Sequence, residues 1–334
     1  MIYIHVPFCR SFCTYCDFYS EIACKGRDAA AIEAWADGVC EEIAARRSEI
    51  EATLDLDTLY IGGGTPSVLP LSVLQRIFDA LPSRRYREFT VEVNPEDIVE
   101  RGAEYVQGLL DLGVTRISMG VQSLDDGILR WMNRRHDADG ARRAYRVLRD
   151  SFASLGMTGE VSVDLIIGVP GMTEEVLGAT LEEVIHWRPE HISAYQLSIE
   201  EGSALARMIE RGEVQELDEE ECRAQYELVC RRLRDAGYHH YEISNWALPG
   251  HEAIHNSAYW TRQPYVGLGP GAHSLIGNRR SWNSQVLSGW TAEGEDLTPE
   301  QIHTEEVMLL ARTDLGPIPE SNWFIADDII ANLI

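Results

Sequence analysis

Three cysteines crowd into eight residues near the start of this chain, in the segment CRSFCTYCDFYS, with the spacing C-x3-C-x2-C at Cys9, Cys13 and Cys16. Four further cysteines, Cys24, Cys40, Cys222 and Cys230, are scattered. An odd count in a long chain argues against a disulfide framework, and a tight cluster in a reducing compartment points to metal. Three thiolates on one short loop suit a cubane iron–sulfur cluster with one iron lacking a protein ligand. Zinc would want a fourth ligand to close a tetrahedron, and the nearest candidate, His5, sits in the strand before the loop. Structural cysteines are the remaining alternative. The isolated cysteines read as small buried or surface residues.

The loop follows an apolar strand at Ile2–Val6, and the pattern repeats along the chain. Strands are expected at Thr58–Ile61, Glu88–Val93, Thr115–Met119, Val161–Ile167 and Ile192–Leu197. Helical patterns fall at about 29–52, Leu71–Leu81, 95–112, a region ending near Leu155 and Gly156, and Glu174–Trp187. Several strands are continuously apolar, as when both faces are covered. Alternating βα units imply a parallel sheet with right-handed crossovers. A partial (β/α)6 barrel and a doubly wound sheet both fit. In either, chemistry belongs at the carboxyl ends of the strands. The cysteines, Gly62-Gly63-Gly64, Asn94-Pro95, Gln122 and the Gly168–Pro170 turn all fall there. Beyond Leu197 the chain is acidic and helical through about Ala236. It then becomes rich in His, Tyr, Trp, Asn and Gly and loop-heavy over 238–290, and ends with one helix at about Pro299–Ala311 and a short tail.

At 334 residues and 45% hydrophobic, the chain can build one large domain or one domain with an appendage. A net charge of −25 argues against nucleic acid as a partner. The first residues lack a basic n-region and a long apolar core, and no apolar run is long enough to span a bilayer. The expected location is the cytoplasm.

The cysteine spacing after a YIHVPFC strand resembles the radical S-adenosylmethionine superfamily. IGGGTPS at 61–67, VEVNPED at 91–97, SMGVQSLDD at 118–126, MNRRH at 132–136 and VDLIIGVPG at 163–171 follow in order. Together they resemble the branch that contains oxygen-independent coproporphyrinogen III oxidases (HemN) and the HemW family, over about residues 1–312. The resemblance implies a partial (β/α)6 barrel over 1–200, a [4Fe–4S] cluster on Cys9, Cys13 and Cys16, and S-adenosylmethionine chelated by the open iron. One electron would then cleave the sulfonium to a 5′-deoxyadenosyl radical, with a flavodoxin-type reductant as donor. It also implies S-adenosylmethionine contacts at Tyr3, Tyr15, Gly63, Gly64, Thr65, Glu92, Gln122, Arg134 and Asp164. Glu92 and Asp164 suit ribose hydroxyls or the amine, Arg134 a carboxylate, Tyr15 the adenine, and bare glycine backbone a close ligand approach.

Two marks favour the HemW side of the branch. Phe18 stands two residues past Cys16, where HemN-type oxidases have a further cysteine, and this puts oxidation of coproporphyrinogen III in doubt. HNSAYW at 255–260 resembles the HNxxYW signature of HemW, supported by YEISNWA at 241–247 and GLGPGAHS at 267–274. His255 is therefore the first candidate axial ligand for haem, surrounded by Asn256, Tyr259 and Trp260 in the extension 201–290. His239, His240, His251 and His273 are lesser candidates, read mainly as exposed loop. The end departs from the family. Between VMLLARTDLG and the final WFIADDIIANLI lie a handful of residues, where the family has a winged-helix-like domain, so 291–334 is a shortened helical region. The function implied is a haem chaperone that passes haem to an acceptor protein, including one met transiently at a membrane. The rivals are a radical enzyme acting on a tetrapyrrole and a zinc-stabilised module without catalysis.

Overall fold

A computed structural model describes residues 1–22, 29–82, 85–154 and 159–332. Strands β1 (Ile2–Val6), β2 (Thr58–Gly63), β3 (Glu88–Val93), β4 (Arg116–Gln122), β5 (Glu160–Ile167) and β6 (His191–Gln196) lie side by side in that order, all parallel. This is the partial (β/α)6 arrangement. The crossovers carry helices α1 (Ala29–Ala45), α2 (Leu71–Ala80), α3 (Pro95–Asp111), α4 (Ala138–Ser154) and α5 (Glu174–Trp187), and α6 (Glu219–Asp235) packs beside α5.

Each strand alternates. Ile2, Ile4, Leu59, Ile61, Val91, Ile117, Met119, Val163 and Ile192 point to one face and are buried in the core. The opposite face carries Tyr3, Tyr60, Glu92, Ser118, Asp164 and Ser193, brought level by pairings such as Tyr3↔Tyr60, Glu92↔Ser118 and Asp164↔Ser193. The strands are thus not apolar on both faces. Their inner face is polar, because it lines a cavity and not a second hydrophobic layer.

The stretch 238–290, expected to be loop-heavy, extends this same sheet at both edges. β7 (His239–Glu242) and β8 (Asn245–Ala247) add antiparallel beyond β6, and β9 (Val266–Leu268) adds parallel beside β1. Helix α7 (Ile254–Trp260) carries the HNSAYW segment between them. The acidic run after residue 210 is not continuously helical: one short helix ends before Gly212 (φ 68°), and α6 starts afresh from a capping box of Asp218 and Glu221. The expected helix at 29–52 breaks at Arg46, and the helical region before strand β5 is two helices, Asp126–Trp131 and α4. Leu155 and Gly156, read as that region's end, and Cys24 lie outside the described residues. The C-terminal tail forms a single turn, Glu320–Ile325, and a short helix, Ala326–Ala331, seated by the buried Trp323 and Ile330. Among the described residues no helix is long and apolar enough to cross a membrane.

Candidate functional site

At the carboxyl ends of the strands a cavity of about 560 Å³ opens, with the cysteine loop across it. Its lining includes Cys9, Cys13, Tyr15, Cys16, Gly63, Gly64, Thr65, Glu92, Gln122, Arg134 and Asp164. Eleven residues spread over more than 150 positions of sequence therefore meet around one space.

The loop is anchored at both ends. Phe8–Cys9 pairs with Glu21–Ile22, Thr14 N–H donates to the Met132 carbonyl at 3.1 Å, and Asn133 Nδ2 donates to the Phe12 carbonyl at 2.7 Å. The thiols receive donors: Thr65 Oγ1 to Cys9 Sγ and Arg134 Nη1 to Cys13 Sγ, each at 3.5 Å, and the Phe18 backbone N–H to Cys16. Such donors favour thiolate, the form that binds iron. Burial opposes them. It raises the Cys9 thiol and pushes Cys16 up to about 12, so metal loading must expel protons. His5 is not a fourth ligand. Its Nε2–H donates to the Tyr19 carbonyl at 2.9 Å and its Nδ1 accepts from Tyr3 Oη at 3.1 Å. That chain places Tyr3 one layer below the cavity, holding the loop's anchor.

The triple glycine also packs strand against strand. A Cβ on Gly63, at φ 107°, would strike the His5 ring, and one on Gly64 would lie 2.8 Å from the carbonyl oxygens of Val6 and Phe8. Bare backbone lets β2 pack against the strand that feeds the cysteine loop, with Gly64 N–H donating to the Val6 carbonyl at 2.7 Å.

Deeper in, Glu92 accepts from Tyr60 Oη at 2.7 Å and Gly63 N–H at 3.1 Å. Burial outweighs both donors and lifts its carboxyl to about 7. Asp164 accepts from Ser118 at 2.7 Å and Ser193 at 2.8 Å and is raised by the same burial. Arg134 places Nη2 on Asn94 Oδ1 at 2.6 Å and the Gly120 carbonyl at 2.9 Å, so part of its fork is committed to the protein. Gln122 sits at a β-bulge with φ 64°, and its Oε1 is buried without a hydrogen-bond partner. Its backbone is strained and its free acceptor lies at the cavity lining.

Tyr60, Ser118 and Ser193 escaped the sequence reading. No sequence spacing ties them to Glu92 and Asp164: they stand on neighbouring strands and meet them through sheet register, Ser118 opposite Glu92 and Ser193 opposite Asp164.

The HNSAYW helix lies at the other end of the barrel. Glu88 accepts from the Ile254 and His255 N–H groups at 2.8 and 2.9 Å and faces Arg116 at 3.4 Å, forming a floor. Only Asn256 of the four haem candidates reaches the cavity lining. His255 is buried, bonded to Thr58 Oγ1 at 2.8 Å and Tyr259 Oη at 2.9 Å, and burial lowers its pKa to about 3. Both ring nitrogens are engaged, and Tyr259 and Trp260 face away from the cavity lining. His251 is a partly exposed loop residue that bonds Glu160 at 2.8 Å, whereas His240 lies on β7, buried against Trp246, and is not the exposed loop residue expected.

A family model described as the radical SAM superfamily matches residues 3–184. The chain is 35% identical to the heme chaperone HemW of Mycobacterium tuberculosis (strain ATCC 25618 / H37Rv) over 331 residues, covering 94% of this chain and 82% of that protein. It is 33% identical to the heme chaperone HemW of Synechocystis sp., covering 99% and 83%. The structure of coproporphyrinogen III oxidase (HemN) from Escherichia coli, a radical SAM enzyme, superposes with a TM-score of 0.76 at 22% identity, covering 99% of this chain and 81% of that one. That likeness establishes the fold. With the cysteine triad and the polar barrel face in place, the chain belongs to the radical SAM superfamily and, within it, to the HemW family.

Proposed function

We propose that this protein is a haem chaperone that binds haem, a [4Fe–4S] cluster and S-adenosylmethionine, and delivers haem to an acceptor protein. The observation that carries it is Phe18. It stands 65% exposed on the rim of the cavity, where a porphyrinogen oxidase of this branch has a thiol. Phe12 and Tyr195 are exposed on the same rim, which suits a flat apolar ring system better than a small polar substrate.

The site fits the cofactors its superfamily implies. Three thiols share one loop, Gln122 presents an unpartnered acceptor, and the cavity behind them is open and holds the carboxyl groups of Glu92 and Asp164. Cys9, Cys13 and Cys16 would hold the cluster. Glu92, Gln122, Arg134 and Asp164, with Tyr15, Gly63, Gly64 and Thr65 around them, would hold S-adenosylmethionine, and Tyr3 would support the loop from below. The cluster supplies one-electron chemistry when bound, which a flavodoxin-type donor would feed. The division of labour follows: 1–200 for the cluster and S-adenosylmethionine, with Phe12, Phe18 and Tyr195 on its rim as the apolar face for haem, 201–290 carrying the candidate ligand His255, and 291–334 as a shortened C-terminal region. An acceptor in a membrane would be met transiently.

Anaerobic reconstitution followed by haem titration tests the reading. A saturable Soret shift at about one haem per chain is expected. No specific haem binding with the cluster intact would refute it. The full set of S-adenosylmethionine contacts supports a second reading, radical oxidation of a tetrapyrrole. Anaerobic formation of protoporphyrinogen from coproporphyrinogen III would establish that one instead.

Glu92 adds a pH signature. Its carboxyl is neutral below about 7 and ionised above. The sulfonium and amine of S-adenosylmethionine are favoured by the ionised form, so affinity should rise as pH increases through about 7 and then level off. Glu92→Gln should flatten that dependence in isothermal titration. A rise of equal size in the variant would show that another group controls it.

A further inference from the structure

We propose that Cys230, His240 and Glu320 form a zinc site at the far edge of the sheet, remote from the cysteine triad. Cys230 lies on α6, His240 on the edge strand β7 and Glu320 on the C-terminal turn. One ligand atom from each falls within 4.8 Å of the others. A thiol, an imidazole and a carboxylate are zinc's ordinary ligand set, and small side-chain rotations bring such atoms to zinc-binding distances of about 2.0–2.3 Å.

The His240 ring is held from two sides. Its plane is fixed by stacking on Trp246, at 4.1 Å and 13°, and by the edge of Trp323 at 4.4 Å. Nε2 faces the Ile243 carbonyl at 3.4 Å, and Nδ1 faces Glu320 Oε1 at 2.9 Å. Both partners are acceptors. A neutral ring has a single N–H, and burial disfavours the doubly protonated ring. If Nε2–H serves the carbonyl, a lone pair on Nδ1 meets a carboxylate unless a cation lies between them. A zinc ligand with its second N–H on a backbone carbonyl is the arrangement metal-bound histidines adopt. Cys230, also buried, offers its sulfur on the same side. Glu320 Oε1 also receives Arg234 Nη2 at 2.6 Å. Rotating the carboxylate leaves one oxygen on Arg234 and turns the other inward. Beside the triad, a cavity of about 430 Å³ lined by Tyr238, His240, Glu320 and Trp323 provides an entry path and room for a water as fourth ligand. The ion would fasten the C-terminal turn to the sheet edge.

The test uses the cluster-loaded protein, so that iron occupies Cys9, Cys13 and Cys16. After incubation with zinc and gel filtration, about one zinc per chain is expected, with a zinc K-edge shell holding one sulfur at about 2.3 Å. Cys230→Ser and His240→Ala should each lose the retained zinc while iron content stays unchanged. Zinc retained equally by both variants, no zinc retained by the parent, or a shell with no sulfur or with three would overturn the site. The parent's absorption spectrum decides even if a variant fails to fold.

Discussion

Cys13→Ser should empty the cluster site, dropping iron from about four atoms per chain to almost none and abolishing the brown absorption near 400 nm. Iron in a cubane is held by thiolate sulfur. Serine supplies a harder oxygen that stays protonated at neutral pH, and two remaining thiols cannot hold the cluster in solution. Cys13 is the most exacting of the three because its sulfur faces Arg134 at 3.5 Å. That contact fixes where the sulfur points, and Arg134 is itself tied to Asn94 and Gly120. The fold should survive the change. The loop is held by backbone pairing to Glu21–Ile22 and by Thr14 and Asn133, none of which needs the thiol. The variant should therefore match the apoprotein in far-UV circular dichroism and lose only the stability that bound metal adds. Cys40→Ser and Cys222→Ser, which lie away from the loop, should keep full iron. Full iron in Cys13→Ser, measured colorimetrically after anaerobic reconstitution, would remove this thiol from the ligand set.

The parts of this molecule that the sequence revealed are those built from neighbours. Glu88–Val93 and Glu174–Trp187 match their expected spans residue for residue, since Gly, Asn-Pro and a Thr173 cap punctuate them locally. The cysteine loop and the motifs that line the cavity are short segments at strand ends, so the topology of alternating βα units was enough to gather them. The edge strands were hidden because their partners are remote. Val266 pairs with Ile2, and Asn245 pairs with Ser193. Their short lengths carry no periodicity, and their aromatic and histidine content reads as loop. The inner face was hidden for another reason. Serines and a tyrosine between valines and isoleucines look like tolerated exceptions until the sheet curves and points them all at one cavity.

His255 shows the same blindness and leads to the second large effect. Its type and neighbours suggested a haem ligand, but its hydrogen bond to Thr58, 197 positions away in sequence, was invisible. His255→Ala should cost about 2–4 kcal/mol of stability, through a buried void and two hydroxyls stripped of partners. The pH dependence should change as well. The folded ring titrates near 3 and an unfolded histidine near 6.5, so as pH falls through that window the unfolded chain gains a proton that the folded one refuses. Stability therefore declines on acidification, and His255→Ala should make the melting temperature fall less steeply between about 6.5 and 3. Haem ligation by His255 requires Nε2 to exchange the Tyr259 hydroxyl for iron. Tyr259→Phe removes that competitor at a cost of about 1 kcal/mol, leaving the ring in place. It should bind haem at least as tightly as the parent, whereas His255→Ala should lose the low-spin Soret signature with its cluster intact. If His255→Ala retains that signature, the axial ligand lies elsewhere and HNSAYW serves as the floor of the barrel. If Tyr259→Phe and His255→Ala lose it alike, the aromatic packing of α7, rather than a free imidazole nitrogen, is what haem binding depends on.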